Sequence, residues 1–257
     1  AEGMTPWLQL MPHGGVLSHS SVREAVDGWF EGGARHVVLD HAPNRAERWT
    51  HWIAEGLPRR YARWIAPTME ALASVGEITP ILAPLAPRGD YRGLTFLSEA
   101  LHELRALRPE WLQRLAVACM NNQNGLSAAW GAGGIALWGS DARVGMEDEN
   151  GLYGWEWVQQ TAGAALGRMV DVYSVQSTLN VADSAETQAD AVAGLHRVAA
   201  GASAPLIASF PALGEGGWYH ANGTVAAPHL VAALRDIPLP DEPEKQSVPR
   251  TLRVLHE

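Results

Sequence analysis

One cysteine and one lysine stand in a chain of 257 residues. With Cys119 alone, no intramolecular disulfide can form. Cys119 falls in the apolar run Leu115-Ala-Val-Ala-Cys-Met120, where a small buried hydrophobe is the expected state rather than a nucleophile. Lys245 is the only lysine, the arginines form no run, and the net charge is −9. Those absences argue against nucleic acid or an anionic membrane as partner. No stretch reaches the roughly 18 to 20 apolar residues of a membrane helix, and no cleavable signal is visible at the start. Ala1-Glu2-Gly3 before Met4 is open to reading as an expression scar, which leaves localisation open.

Chemical signatures are also missing. There is no His-Glu-x-x-His, no Gly-x-Ser-x-Gly and no glycine-rich phosphate fingerprint after a strand. His13 and His19 lie too far apart for a strand-end His-x-His pair. The reading expects no cofactor and no metal.

What is there is an alternation. Apolar runs of strand length recur at Trp7–Met11, His36–Asp40, Ile78–Ala83, Leu115–Met120, Gly134–Trp138, Asp171–Gln176, Pro205–Phe210 and Leu252–His256. Their near-continuous hydrophobicity is that of parallel strands covered on both faces. Helix-period segments separate them. Ser21 with Glu24 predicts a capping box before Val22, Ala25, Val26, Trp29 and Phe30. Asn44 with Glu47 predicts another before Trp49, Trp52 and Ile53. Leu97, Leu101, Leu104 and Leu107 mark a third helix, and a short fourth is expected near Leu126–Trp130. Val158, Ala162, Ala165 and Met169 mark a further one, then Val192, Leu195 and Ala199. Pro67 must begin or kink a helix within 57–75. No repeat or linker interrupts the pattern, and Pro238–Arg250 reads as a surface connection to the closing strand. The expectation is one α/β domain, a single (β/α)8 barrel of TIM type, for which roughly 250 residues suffice.

Barrels of this kind carry their sites at the carboxyl ends of the strands. Strand one exits at His13, and strand two at Asp40 and His41. Strand three exits past Arg88 and Asp90, and strand four into Asn121-Asn122-Gln123-Asn124. Strand five exits at Trp138, Ser140 and Asp141, with the acidic run Glu147–Glu149 beyond. Gln176, Ser177 and Asn180 follow strand six, and Glu215, Trp218, Tyr219 and His220 follow strand seven. Carboxylates, amides, imidazoles and indoles together suit sugars, since rings stack on indoles and hydroxyls bind amides and carboxylates. Hydrolysis of a glycosidic bond needs two carboxyl groups, and Asp141 with Glu215 is the best pair, Asp40 the third candidate. The plainer readings stand beside these: Asp40 capping the next segment, Asp141 ordering its own loop, Glu215 solvated in a glycine-rich turn.

The alternation, the aromatic-rich exits and Gly134-Ile-Ala-Leu-Trp-Gly-Ser140 resemble barrel glycoside hydrolases at the level of the fold. Many such families carry an acid/base carboxylate after strand four and a second carboxylate after strand seven. Glu215 fits the second place, whereas strand four ends in amides. The resemblance implies a barrel that hydrolyses or binds a carbohydrate. Asp141, Glu215 and Asp40 would be its carboxyl groups. His13, His41, Asn121, Asn122, Gln176, Tyr219 and His220 would contact substrate, and Trp138 and Trp218 would stack on it. A non-catalytic carbohydrate-binding or structural barrel within a larger assembly is the alternative. A third reading follows His13-Gly14-Gly15 and Val38-Leu39-Asp40, which are similar to the opening of glycerophosphodiester phosphodiesterases. Those carry a second acidic ligand where this chain has Val38, a loss that would weaken hard-cation binding. Oligomeric state is not legible.

Overall fold

The computed structural model describes residues 7–10, 19–75, 77–123, 125–127, 129–142, 151–179, 183–201, 206–208, 228 and 232. In chain order the elements are β1 (Trp7–Leu10), α1 (His19–Glu31), β2 (His36–Leu39), α2 (Leu57–Val75), β3 (Thr79–Leu82), α3 (Gly93–Leu107), β4 (Ala116–Asn122), α4 (Gly134–Trp138), α5 (Gly154–Leu166), β5 (Val172–Thr178), α6 (Ala185–Gly201) and β6 (Leu206–Ala208). Sheet order follows chain order, β1 to β6, and the registered pairs β1–β2, β2–β3, β3–β4 and β5–β6 are parallel. The described residues form two compact units, one within Ala1–Ala118 and Val158–Asp171, the other within Cys119–Trp157 and Val172–Glu257.

In the first unit, Val37, Val38, Leu39, Ile81 and Leu82 are all buried, as strands covered on both faces require. α2 packs on α1 and α3. Leu57, Tyr61, Ile65, Met69 and Leu72 give α2 its buried face at helical spacing. Tyr61 meets the ring of Phe96 at 5.4 Å and that of Trp64 at 6.1 Å. Pro67 lies inside α2 rather than at its start. Its missing N–H leaves the carbonyl one turn earlier without its helical donor. α1 buries Val22 and Val26, but Trp29 is exposed, so the predicted stripe fades in the last turn. Ser21 falls inside α1, two residues after its start, and does not stand before it.

Three predicted elements take other forms. Asn44 does not cap a helix: only the single turn Ala46–Arg48 follows it. Its buried amide instead donates to Ala86 O at 2.9 Å and Tyr91 O at 3.1 Å and accepts from Ala86 N at 2.9 Å. That clamp ties the segment after β2 to the segment after β3. Asp90 adds a carboxylate contact to Ala46 N at 2.7 Å. Gly134–Trp138, expected as a strand, is the short helix α4 between Gly133 (φ 86) and Gly139 (φ 79). Positive φ at both flanks turns the chain out of the extended form that the apolar run suggested. Ala129–Gly133, around the predicted fourth helix, is turn. Met169 lies beyond α5 and is exposed. The expected closing strand Leu252–His256 lies outside the described residues.

Below the sheet, Arg168 satisfies backbone carbonyls at the start of β4. Its guanidinium donates to Leu112 O at 3.0 Å and Leu115 O at 2.6 Å. Burial lowers its pKa, and burial raises that of Asp171, each opposed by the charge of the other.

The Asn44 clamp makes a sharp prediction. A Cβ built on Gly89 would lie 2.0 Å from Asn44 Nδ2. Gly89→Ala is therefore expected to lower stability by roughly 2–4 kcal/mol, by expelling an amide that buried backbone groups need. Asn44→Ala should cost a similar amount, and Gly89→Ala in that background close to nothing further. Urea denaturation of the four-member cycle checks it; additive losses would refute the clamp.

Candidate functional site

The carboxyl end of β2 is a strained corner in the first unit. Asp40 has φ 73 and Ala42 has φ 48, left-handed values that cost a non-glycine residue about 1 kcal/mol or more. Asp40 N donates to Leu10 O at 2.8 Å, Ala42 N to Pro84 O at 2.9 Å, and Trp49 Nε1 to Pro43 O at 2.8 Å. The carboxylate of Asp40, buried at 4% exposure, is held by Arg48 Nη2 at 2.7 Å. Tyr61 Oη donates to Leu39 O at 3.3 Å, and its hydroxyl pKa is raised well above the ordinary value by burial and by Asp40. A carboxylate so engaged is a structural anchor first. His41, half-buried between the two strained residues, has its pKa lowered by burial and then by the charge of Arg48, with Asp40 opposing.

The ends of β4 and β5 form a polar cluster in the second unit. Asn121, expected in a loop, is a strand residue and fully buried, and its Nδ2 donates to Ser174 Oγ at 2.7 Å. Ser174 Oγ lies 2.6 Å from Ser177 Oγ. Thr178 Oγ1 donates to Asn122 Oδ1 at 3.0 Å. Gln123 N donates to Thr178 O at 3.0 Å, and Gln123 Nε2 donates to Leu126 O and to Asp183 Oδ2, each at 3.0 Å. Gln176 lies within β5, which runs past the predicted exit to Thr178. Cys119 is buried as expected, and burial pushes its thiol up to about 12, opposed by hydrogen bonds with Ser174 and Asn121. Amides and hydroxyls hold this cluster; the thiol stays protonated.

Because α4 is not a strand, the described residues between Asn122 and Gly154 hold no strand, and α4 follows the carboxyl end of β4. Gly131–Gly134, predicted to precede a strand, therefore belongs to the segment after β4. Asp141 is not at the exit of a fifth strand. It sits exposed in the single turn Ser140–Ala142, which packs on α4. Trp138 ends α4 and is exposed, with Nε1 donating to Ala132 O at 2.8 Å. Trp157 Nε1 donates to Gly131 O at 3.1 Å, and Gly133 N donates to Glu156 Oε2. Burial raises the pKa of Glu156, and that hydrogen bond opposes the shift. Three side chains thus staple the glycine loop.

His13, Glu147–Glu149, Asn180, Glu215, Trp218, Tyr219 and His220 lie outside the described residues. Sequence reasoning missed Arg48, Tyr61, Ser174 and Glu156. Arg48 carried no signal, since nothing in its spacing couples it to Asp40. Glu156 carried a faint one, an acid in the first turn of a helix. Among the described residues no group of three His, Cys, Asp or Glu gathers as metal ligands, and no helix is long and apolar enough to cross a membrane.

His41 yields a pH prediction. Its folded pKa lies below 6.5, so the unfolded chain takes up the proton first. This contribution to stability is complete above that value and is lost as pH falls through it. His41→Asn should flatten the decline between about pH 7 and 5. Chemical denaturation across that range checks it; identical slopes for the two proteins would refute it.

No family profile and no curated protein matches the chain. Solved structures do. A GH128 (subgroup II) endo-beta-1,3-glucanase from Sorangium cellulosum superposes with a TM-score of 0.56 at 12% identity, over 90% of this chain and 80% of the other. A variant of a GH128 (subgroup I) endo-beta-1,3-glucanase from Amycolatopsis mediterranei, in complex with laminarihexaose, gives 0.54 at 14% identity, over 89% of each chain. A second variant of that enzyme, with laminaritriose and laminaribiose, gives 0.52 at 15% identity, over 90% of each. At such identities the likeness is one of fold. The chain shares the fold of these proteins, an α/β fold in which parallel strands alternate with helices, as the expected (β/α)8 topology requires.

Proposed function

We propose that this chain is a carbohydrate-binding barrel of glycoside-hydrolase type whose ligand is a neutral glucan. The observation that carries the reading is the array of amides and hydroxyls at the ends of β4 and β5, in which Asn121, Ser174 and Ser177 are buried and Asn122 and Thr178 partly exposed. Uncharged groups with both donors and acceptors match sugar hydroxyls without attracting ions. The glucan complexes of the fold's neighbours support the ligand class.

Hydrolysis is the second reading. It rests on Asp141 in the connection after β4 and on Glu215, which would form the acid and base or nucleophile pair, with Asp40 third. The end of β4 argues for binding first, because Asn121, Asn122 and Gln123 supply no proton donor of carboxylic type. The phosphodiesterase reading has least support. Asp40 is engaged by Arg48, and the position of the second acid is the buried Val38.

Calorimetric titration with laminarihexaose, with sugar release measured on the same samples, separates these readings. Saturable binding without release is expected. Asn122→Ala should weaken it about tenfold, the loss of one well-placed hydrogen bond. Release that disappears in Asp141→Asn and Glu215→Gln would establish hydrolysis instead. Failure to bind any neutral glycan on an array would overturn the carbohydrate reading.

A further inference from the structure

Three side chains hold the loop Gly131–Gly134, and only one of them titrates. Trp157 Nε1 donates to Gly131 O at 3.1 Å and Trp138 Nε1 to Ala132 O at 2.8 Å. An indole is a donor only and keeps its proton. The third staple is Glu156, in the first turn of α5, whose Oε2 accepts from Gly133 N. That contact meets the loop where its backbone is most constrained. Gly131, Gly133 and Gly134 hold φ of 82, 86 and 57. A Cβ on Gly133 would come within 2.7 Å of Leu137 Cβ, and one on Gly151 within 2.9 Å of Trp130 Cδ1. Glu156 itself is half-buried.

The charge on Glu156 is poorly compensated. Burial raises its pKa, and among the described residues the only opposing contact is the uncharged Gly133 N–H. The glycine loop and α4 carry no titratable side chain, and α5 carries none besides Glu156. Asp141 stands exposed on the turn that packs on α4. Buried Tyr153 packs with Ala191 of α6, and Asp190 next to it is exposed. Both carboxylates act against ionisation of Glu156, in the same direction as burial. Arg143 and Glu147–Glu149 lie outside the described residues. A protonated carboxyl still offers its carbonyl oxygen to Gly133 N, without the cost of a half-buried charge. We propose that Glu156 is a proton-operated catch on this loop. Protonated, it keeps Gly133 against the first turn of α5; ionised, it turns to water and frees the Gly133 end. By linkage the catch is closed below the pKa of a free glutamate and opens as pH rises through the raised value. It acts on the loop whatever ligand the strand ends bind.

Hydrogen exchange of the Gly133 amide, corrected for the intrinsic effect of pH, tests the catch between about pH 4 and 8. The Gly139 amide, bonded to Ile135 O at 2.9 Å with no titratable partner, is the internal control. In the wild type, Gly133 protection should fall severalfold as pH rises, while that of Gly139 stays level. Glu156→Gln, a neutral acceptor of the same shape, should keep the low-pH protection at every pH. Glu156→Ala should leave Gly133 poorly protected throughout. Where a variant does not fold, the wild-type profile decides alone. Gly133 protection that is level or rises with pH would overturn the catch. Gly133 and Gly139 moving together would assign the effect to the whole fold and also overturn it. So would a pH dependence unchanged in Glu156→Gln.

Discussion

Strands covered on both faces end in corners that water cannot fully reach, and the backbone groups there must find partners within the protein. This constraint organises the structure more than any single apolar contact. The Asn44 amide meets Ala86 and Tyr91, and Arg168 meets Leu112 and Leu115. Tyr61 meets Leu39, and Gln123 meets Leu126. Trp157, Trp138 and Glu156 each take one backbone group of the glycine loop. Each is a long or amide-bearing side chain spent on a carbonyl or N–H that the sheet and helices leave over. Hydrophobic burial supplies the driving force; these contacts decide which corners form.

The same constraint sorts the candidate residues. Asp40 was attractive because a carboxylate stands at a strand end. Its burial then demands a counter-charge, and Arg48 supplies one. The left-handed residues Asp40 and Ala42 flank His41, which is partly exposed, and burial with a neighbouring guanidinium lowers its pKa. At the ends of β4 and β5 amides and hydroxyls meet mainly one another, with the Asp183 carboxylate engaged by Gln123.

Much of the fold was legible. The strands at His36, Ile78, Leu115, Asp171 and Pro205 follow from short apolar runs rich in branched residues, and α3 follows from leucines at helical spacing. The error at Gly134–Trp138 has a definite cause. Five apolar residues carry no periodicity, and glycine on both sides permits a helix as readily as a strand. Its consequence was larger than its length, because it moved Trp138 and Asp141 from a presumed fifth strand into the connection after β4. Asn44 misled for a related reason: the Asx-x-x-Glu spacing that caps a helix also suits a buried clamp to a neighbouring loop.

Composition and periodicity alone determined the class of this protein. A single cysteine set aside an intramolecular disulfide scaffold, and the alternation of apolar runs required parallel strands under helices. Those features are local or additive, so the chain carries them before it folds. Which polar side chain meets which backbone group, and so which candidate stays free to touch a ligand, was decided only in three dimensions. Such pairs join residues far apart in the chain, as Asn121 joins Ser174, and no spacing rule encodes them.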